Sequence, residues 1–370
     1  MGADHSREPM TASLASEAAE TAGSSPRRQV GAWLILCAVL VFAMTLLGGV
    51  TRLTHSGLSI VEWEPLAGAL PPLTEQAWQA EFAHYQQYPE YQKVNQGMNL
   101  AGFKAIYWFE YSHRLLGRAI GLIVAIGLVY FVAARKVTPA LAWRLGILLI
   151  FGGLQGALGW YMVQSGLVDR PDVSHYRLTA HLGLAVAMFG YIVWLALAVL
   201  FPVQAVWGER TPGPFRLAAY VAVGLVYVLV LTGGLVAGLD AGFAYNTFPL
   251  MDGRWIPEGL VNAHPFDTIV SVQFLHRWYG VVVAAFLLLL WGRALDLALP
   301  RSARIAFNAL AVLVLAQGAL GLATLLGVVP TAIAAAHQGG ALIVLTATVA
   351  AAYFARQAKL RPPPGITVLP

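Results

Sequence analysis

Residues 31–50 read Gly-Ala-Trp-Leu-Ile-Leu-Cys-Ala-Val-Leu-Val-Phe-Ala-Met-Thr-Leu-Leu-Gly-Gly-Val, an unbroken run with no charged side chain. As a helix, a run of this length covers ~30 Å, the thickness of a bilayer's hydrocarbon core. Similar runs follow at 116–134, 141–163, 180–201, 215–237, 274–290, 305–329 and 335–354. Lipid offers no partner for a backbone N–H or C=O, so spans this apolar are helices. The reading is an all-α integral membrane protein with eight transmembrane helices. Composition agrees: 58% of the 370 residues are hydrophobic and only 11% charged, and mean hydropathy is +0.66, against about a quarter charged in soluble proteins.

Arginine and lysine collect around alternate loops: Arg27 and Arg28 before the first span, Arg135 and Lys136 after the second, Arg210 and Arg216 between the fourth and fifth. Arg293, Arg301 and Arg304 lie between the sixth and seventh, and Arg356, Lys359 and Arg361 close the chain. Positive loops stay in the cytoplasm, which predicts both termini inside and the long connections 51–105 and 239–272 outside. The net charge of +5 is accounted for by this bias and gives no support to nucleic-acid binding. The first thirty residues, rich in Ser, Ala and Glu, read as a disordered cytoplasmic tail. The single cysteine, Cys37, excludes a disulfide within the chain.

The second half repeats the first. Gly48-Gly49 near the end of span one matches Gly233-Gly234 in span five, and His113-Arg114 matches His276-Arg277. Gln155-Gly156-Ala157-Leu158-Gly159 matches Gln317-Gly318-Ala319-Leu320-Gly321, and Ala180-His181 matches Ala336-His337. The expected organisation is two pseudo-symmetric four-helix bundles in parallel repeat. Residues 1–30 form a tail, 31–201 the first bundle, 202–214 a cytoplasmic linker, 215–355 the second bundle and 356–370 a closing tail.

Four histidines in symmetry-related places, each near the start of a span running inward, should lie at one depth near the outer surface. A histidine in a membrane helix serves metal ligation, proton relay or a polar contact between helices. Paired imidazoles from facing helices are how a bundle ligates heme iron. The neighbouring glycines leave room for a flat macrocycle, and serve equally for close helix packing. Arg114 and Arg277 are candidate contacts for heme propionates, or snorkel to lipid phosphate. The halves differ at one point: Glu110, one helical turn before His113, corresponds to Gln273. That suggests reaction in the first half and a resident cofactor in the second.

The stretches Gly48-Gly49-Val50-Thr51-Arg52-Leu53-Thr54 with Ser56-Gly57-Leu58-Ser59-Ile60, Phe103-Lys104-Ala105-Ile106-Tyr107-Trp108-Phe109-Glu110-Tyr111-Ser112-His113-Arg114, and Asn246-Thr247-Phe248-Pro249-Leu250-Met251 with Gly253 and Trp255 resemble heme A synthase, in its proteobacterial and mitochondrial branch. The likeness runs from about Gly31 to Phe354. It implies an oxidoreductase that converts the C8 methyl of heme O to the formyl of heme A for terminal oxidase assembly; two successive hydroxylations, with water as the expected oxygen source, are our working hypothesis for that conversion. It further implies that His276 and His337 hold heme b, that His113 and His181 hold the substrate heme, and that Glu110 is the essential carboxylate. Expected partners are the farnesyltransferase that makes heme O, a membrane electron acceptor, cytochrome oxidase assembly and a second copy of the chain. The expected location is the bacterial inner membrane, with the heme sites toward the periplasm. Another branch carries an outer-loop cysteine pair, absent here. The rival reading is a quinol-linked cytochrome with two permanent b hemes.

Overall fold

The computed structural model describes residues 8–62, 67–168, 171–202, 206–207, 211–262, 264–356 and 359–360. Arg210, Arg361 and most of the closing tail, on which expectations were placed, lie outside them. Among the described residues, eight helices are long and apolar enough to cross a membrane. They are α1 (Glu8–Leu53, its apolar part Ser25–Leu53), α4 (Leu100–Ala133), α5 (Pro139–Gln164), α6 (His175–Leu200), α7 (Gly213–Gly238), α8 (Ile269–Leu295), α9 (Arg301–Leu326) and α10 (Thr331–Ala355). Two short helices, α2 (Glu75–Tyr85) and α3 (Pro89–Lys93), occupy the first long connection. Among the described residues the only strand pairing is a two-residue parallel contact of Val206–Trp207 with Lys359–Leu360.

The ends of these helices are set locally. Asn99, Thr138 and Thr268 each cap a helix by accepting the backbone N–H three residues on. Pro139 and Pro214 stand in first turns, where no N–H is needed. Just beyond the ends of α1 and α7, His55 (φ 49°) and Asp240 (φ 52°) turn the chain through the left-handed region. Helix α1 begins at Glu8, so the segment expected to be a disordered tail is helical from there; its alanines and glutamates are good helix formers. The second span is also longer than its apolar run implied. Helix α4 starts at Leu100, because the capping Asn99 and an amphipathic aromatic segment carry the helix outward, so His113 sits in its fourth turn rather than its first.

Neighbouring helices close two rings. Helix α1 packs on α4 and α6, and α5 joins α4 to α6; likewise α7 packs on α8 and α10, and α9 joins α8 to α10. The rings meet through α1, α6, α7 and α10, whose apolar residues, such as Leu34, Cys37, Ile192, Ala222, Leu342 and Tyr353, make the central core. Helices α4, α5, α8 and α9 turn large apolar side chains outward, as a lipid-facing surface requires. A second, smaller core sits above α4 at the loop-rich end, where Trp78, Tyr85, Phe103, Tyr107 and Tyr111 pack together, Trp78 edge-on to Tyr107.

Candidate functional site

Each of the four membrane histidines rests against a glycine of a neighbouring helix. A Cβ built on Gly48 would lie 2.9 Å from His113 Cε1, on Gly159 3.0 Å from His181 Cε1, on Gly233 3.2 Å from His276 Cε1, and on Gly321 2.9 Å from His337 Cε1. Any side chain there would displace the ring. The four glycines stand five residues before the ends of α1, α5, α7 and α9, about 7.5 Å of helix rise in each case. The histidines are therefore seated at matching depths. The other glycines divide: Gly49 and Gly234 accept side chains from α10 and α6, while a Cβ on Gly156 or Gly318 would meet nothing.

Polar side chains complete the seats. Gln155 Nε2 donates to His181 O at 3.0 Å and lies 3.2 Å from its Nδ1. Gln317 Nε2 repeats this on His337, at 2.8 Å from O and 3.1 Å from Nδ1. Thr232 Oγ1 lies 2.9 Å from His276 Nδ1. Nδ1 of His113 is buried with no hydrogen-bond partner. The rings of His276 and His337 stand perpendicular, their centroids 6.5 Å apart. Two metal–imidazole bonds of about 2 Å with two ring radii of about 1.1 Å span about 6.2 Å, so the spacing would suit a metal held between the rings. Among the described residues no three His, Cys, Asp or Glu side chains converge on one point. Two imidazoles suit a metal that brings its other four ligands with it.

One turn before His113 lies Glu110, 3% exposed. Its Oε1 accepts from Arg114 Nη2 at 2.6 Å and Nε at 3.0 Å. Its Oε2 accepts from the Ser59 hydroxyl and the Ile60 N–H, both at 2.8 Å. Gln273 takes the matching place in the second half with the polarity reversed: its amide donates to Ala241 O at 2.9 Å and to Ala244 O, and its Oε1 accepts from Arg277. The arginines are equivalent too. Arg114 donates to Ile60 O and Glu62 O, and Arg277 to Tyr245 O and Thr247 O. Both were read from sequence as propionate or lipid contacts. In the structure they clamp the loop that follows α1 or α7, and Arg277 Nε alone of these donors is buried without a partner.

Above Glu110, the cap holds a second buried carboxylate. Glu90 Oε2 accepts from the Tyr85 hydroxyl at 3.0 Å, and Asn95 donates to that hydroxyl at 2.8 Å. Burial pushes the Glu90 carboxyl up to about 8; the Tyr85 bond and Arg52 oppose this, and the charges of Glu110 and Asp172 add to it. Burial and the neighbouring Glu90 charge likewise push the Tyr85 phenol up. The sequence reading missed Glu90, Ser59 and Thr232, because none belongs to a repeated landmark. Gln155 and Gln317 were visible in the repeat but given no role.

A family model described as cytochrome oxidase assembly protein matches residues 31–349. Among curated proteins, the heme A synthase of Nitrosospira multiformis is 47% identical over 326 residues, covering 87% of this chain and 92% of that one. That of Parvibaculum lavamentivorans is 48% identical over 322 residues, covering 84% and 90%, and that of Maricaulis maris 46% over 350, covering 90% and 98%.

Proposed function

The chain belongs to the heme A synthase family, oxidoreductases that convert heme O to heme A, and on that premise we propose how its residues divide the work. His276 and His337 hold a resident heme b, and His113 and His181 hold the iron of heme O. The observation that carries this reading is the set of four imidazoles seated on glycines at one depth, with one pair spaced for an iron. The matched loop clamps and histidine seats support two four-helix units descended from one. Held by His276 and His337, heme b would supply a redox centre able to take electrons from the substrate ring.

Converting a ring methyl to a formyl group with water as the oxygen source releases four electrons and four protons: CH3 plus H2O gives CHO, through a hydroxymethyl group and a geminal diol that loses water. A methyl group has no leaving group, so the ring must first lose electrons. Glu110 is built to favour that loss. Four donors, two of them from the Arg114 guanidinium, fix its carboxyl group one turn from the substrate ligand, where its oxygens face positive charge developing on the macrocycle. Its Ser59 donor is a rotatable hydroxyl, which can yield its place to a proton from the attacking water. Gln273, an amide, offers neither function, which argues against two equivalent permanent hemes.

The remaining assignments follow the same reading: an inner-membrane enzyme with both termini in the cytoplasm and the loop-rich end in the periplasm, fed by the heme O farnesyltransferase and drained by a membrane electron acceptor. Extraction of bound hemes from protein co-expressed with a heme O source tests it. Heme B together with heme O and heme A is the expected outcome; two equivalents of heme B per chain would establish the diheme cytochrome instead.

A further inference from the structure

The two bundles repeat each other beside the second histidine of each pair and differ beside the first. Gln155 and Gln317 attend His181 and His337 alike. His276 has Thr232, which precedes its seating glycine, while the matching position in the first half is Leu47, and His113 Nδ1 is left buried and unpartnered. The Thr232 hydroxyl has one proton, and Leu229 O lies 2.7 Å away to accept it. Oγ1 must then accept from His276 Nδ1–H, which leaves Nε2 as the bare lone pair. Thr232 is 6% exposed, so water does not compete for this bond.

We propose that Thr232 is a positioning residue that makes His276 a permanent heme ligand, and that its replacement by Leu47 leaves His113 a ligand that can let go. Both roles rest on the assignment of the two histidine pairs given above. An enzyme of this kind must keep one heme through every cycle and release the other as product. A ring held at Nδ1 is fixed in tautomer and orientation and is a more basic ligand through Nε2; loss of such a partner typically lowers affinity about 10- to 100-fold. Without that partner, the His113 ring rests against Gly48 with no hydrogen bond at Nδ1 to fix its tautomer.

The test uses the full-length protein in detergent, with the midpoint potential of heme b and the rate of heme transfer to apomyoglobin as readouts. Thr232→Val should raise the potential, because a less basic imidazole stabilises ferric iron less, and should speed heme b loss by about 10-fold or more. Thr232→Ser should restore both. Leu47→Thr, the reciprocal change, should slow loss of heme O and heme A by a similar factor, and it decides the matter if the valine variant does not fold. Wild-type potential and loss rate in Thr232→Val, with His276→Ala abolishing heme b, would overturn the role of Thr232 alone. Full heme b content in His276→Ala would instead remove the ligand assignment beneath it.

Discussion

Glu110 and Gln273 differ only in a carboxylate oxygen exchanged for an amide nitrogen, yet they hold their loops by opposite means. Glu110 receives the Ile60 N–H and the Ser59 hydroxyl, whereas Gln273 donates to Ala241 O and Ala244 O. A Glu110→Gln variant thus loses the charge and also turns an amide N–H toward donors that need an acceptor, a cost of about 1–3 kcal/mol. Turnover should fall by about 100-fold or more, the scale of a lost electrostatic stabiliser, with both hemes still bound; Glu110→Asp should retain part of it. Heme chromatography checks this, and heme A yield at the wild-type level in the glutamine variant would end Glu110's role. The seating glycines offer a sharper contrast. Gly321→Ala drives a Cβ against His337 and should cost heme b, while Gly292→Ala, where a Cβ meets nothing and which lies at the far end of α8 from His276, should keep it. Heme b per chain, by pyridine hemochrome, separates the two. The repeat made the histidines and their glycines legible as a set. It did not show which glycine seats which ring, because that depends on how the helices turn to face one another, and the repeat hid Thr232, whose meaning lies in having no counterpart.

Elements carry the asymmetry further. The first outer connection folds into α2 and α3 and packs Trp78 and Tyr85 on Phe103 and Tyr107 of α4, a cap the second half lacks among its described residues. Sequence hydropathy placed the start of span two at residue 116, since aromatic and polar side chains dilute the apolar signal over the four extra turns that support this cap. Glu90 makes the cap sensitive to pH. Its carboxyl, raised by burial to about 8, binds its proton more tightly in the folded cap than in the unfolded chain. Its contribution to stability is therefore complete below about 4.5 and is lost as pH rises toward 8. Hydrogen exchange over residues 75–99 should show more frequent opening at pH 8.5 than at pH 6, and Glu90→Gln, which keeps the Tyr85 bond without a titrating group, should flatten that difference. An unchanged pH dependence in the variant would place the sensitivity elsewhere.

At the scale of the whole molecule, eight spans were readable in the sequence, and which of them face the protein interior rather than lipid was not. The four inner spans have 33%, 50%, 33% and 61% of their apolar windows buried, against 11%, 11%, 22% and 17% for the outer four. Mean hydropathy overlaps completely, 1.5 to 2.6 against 1.5 to 2.3, because lipid tails and a protein core are equally apolar and select the same side chains. The join between halves is made by that inner quartet, by Gln338 of α10 donating to Thr45 O of α1 at 2.9 Å, and by Arg52 meeting Asp240 at 2.7 Å. Asp240 is 44% exposed, so this ion pair contributes about 1 kcal/mol at most, and packing must supply the rest. The linker then adds little beyond proximity. A chain cut between residues 202 and 206 and co-expressed as two polypeptides should reassemble, with a tag on the first half recovering the second in equal amount and both hemes bound. Arg52→Ala should leave that recovery nearly unchanged. Halves that fail to copurify would show that the covalent linker is needed to join the two units, and halves that separate on loss of Arg52 alone would show that the polar contacts at the loop-rich end, rather than the buried helix faces, hold them together.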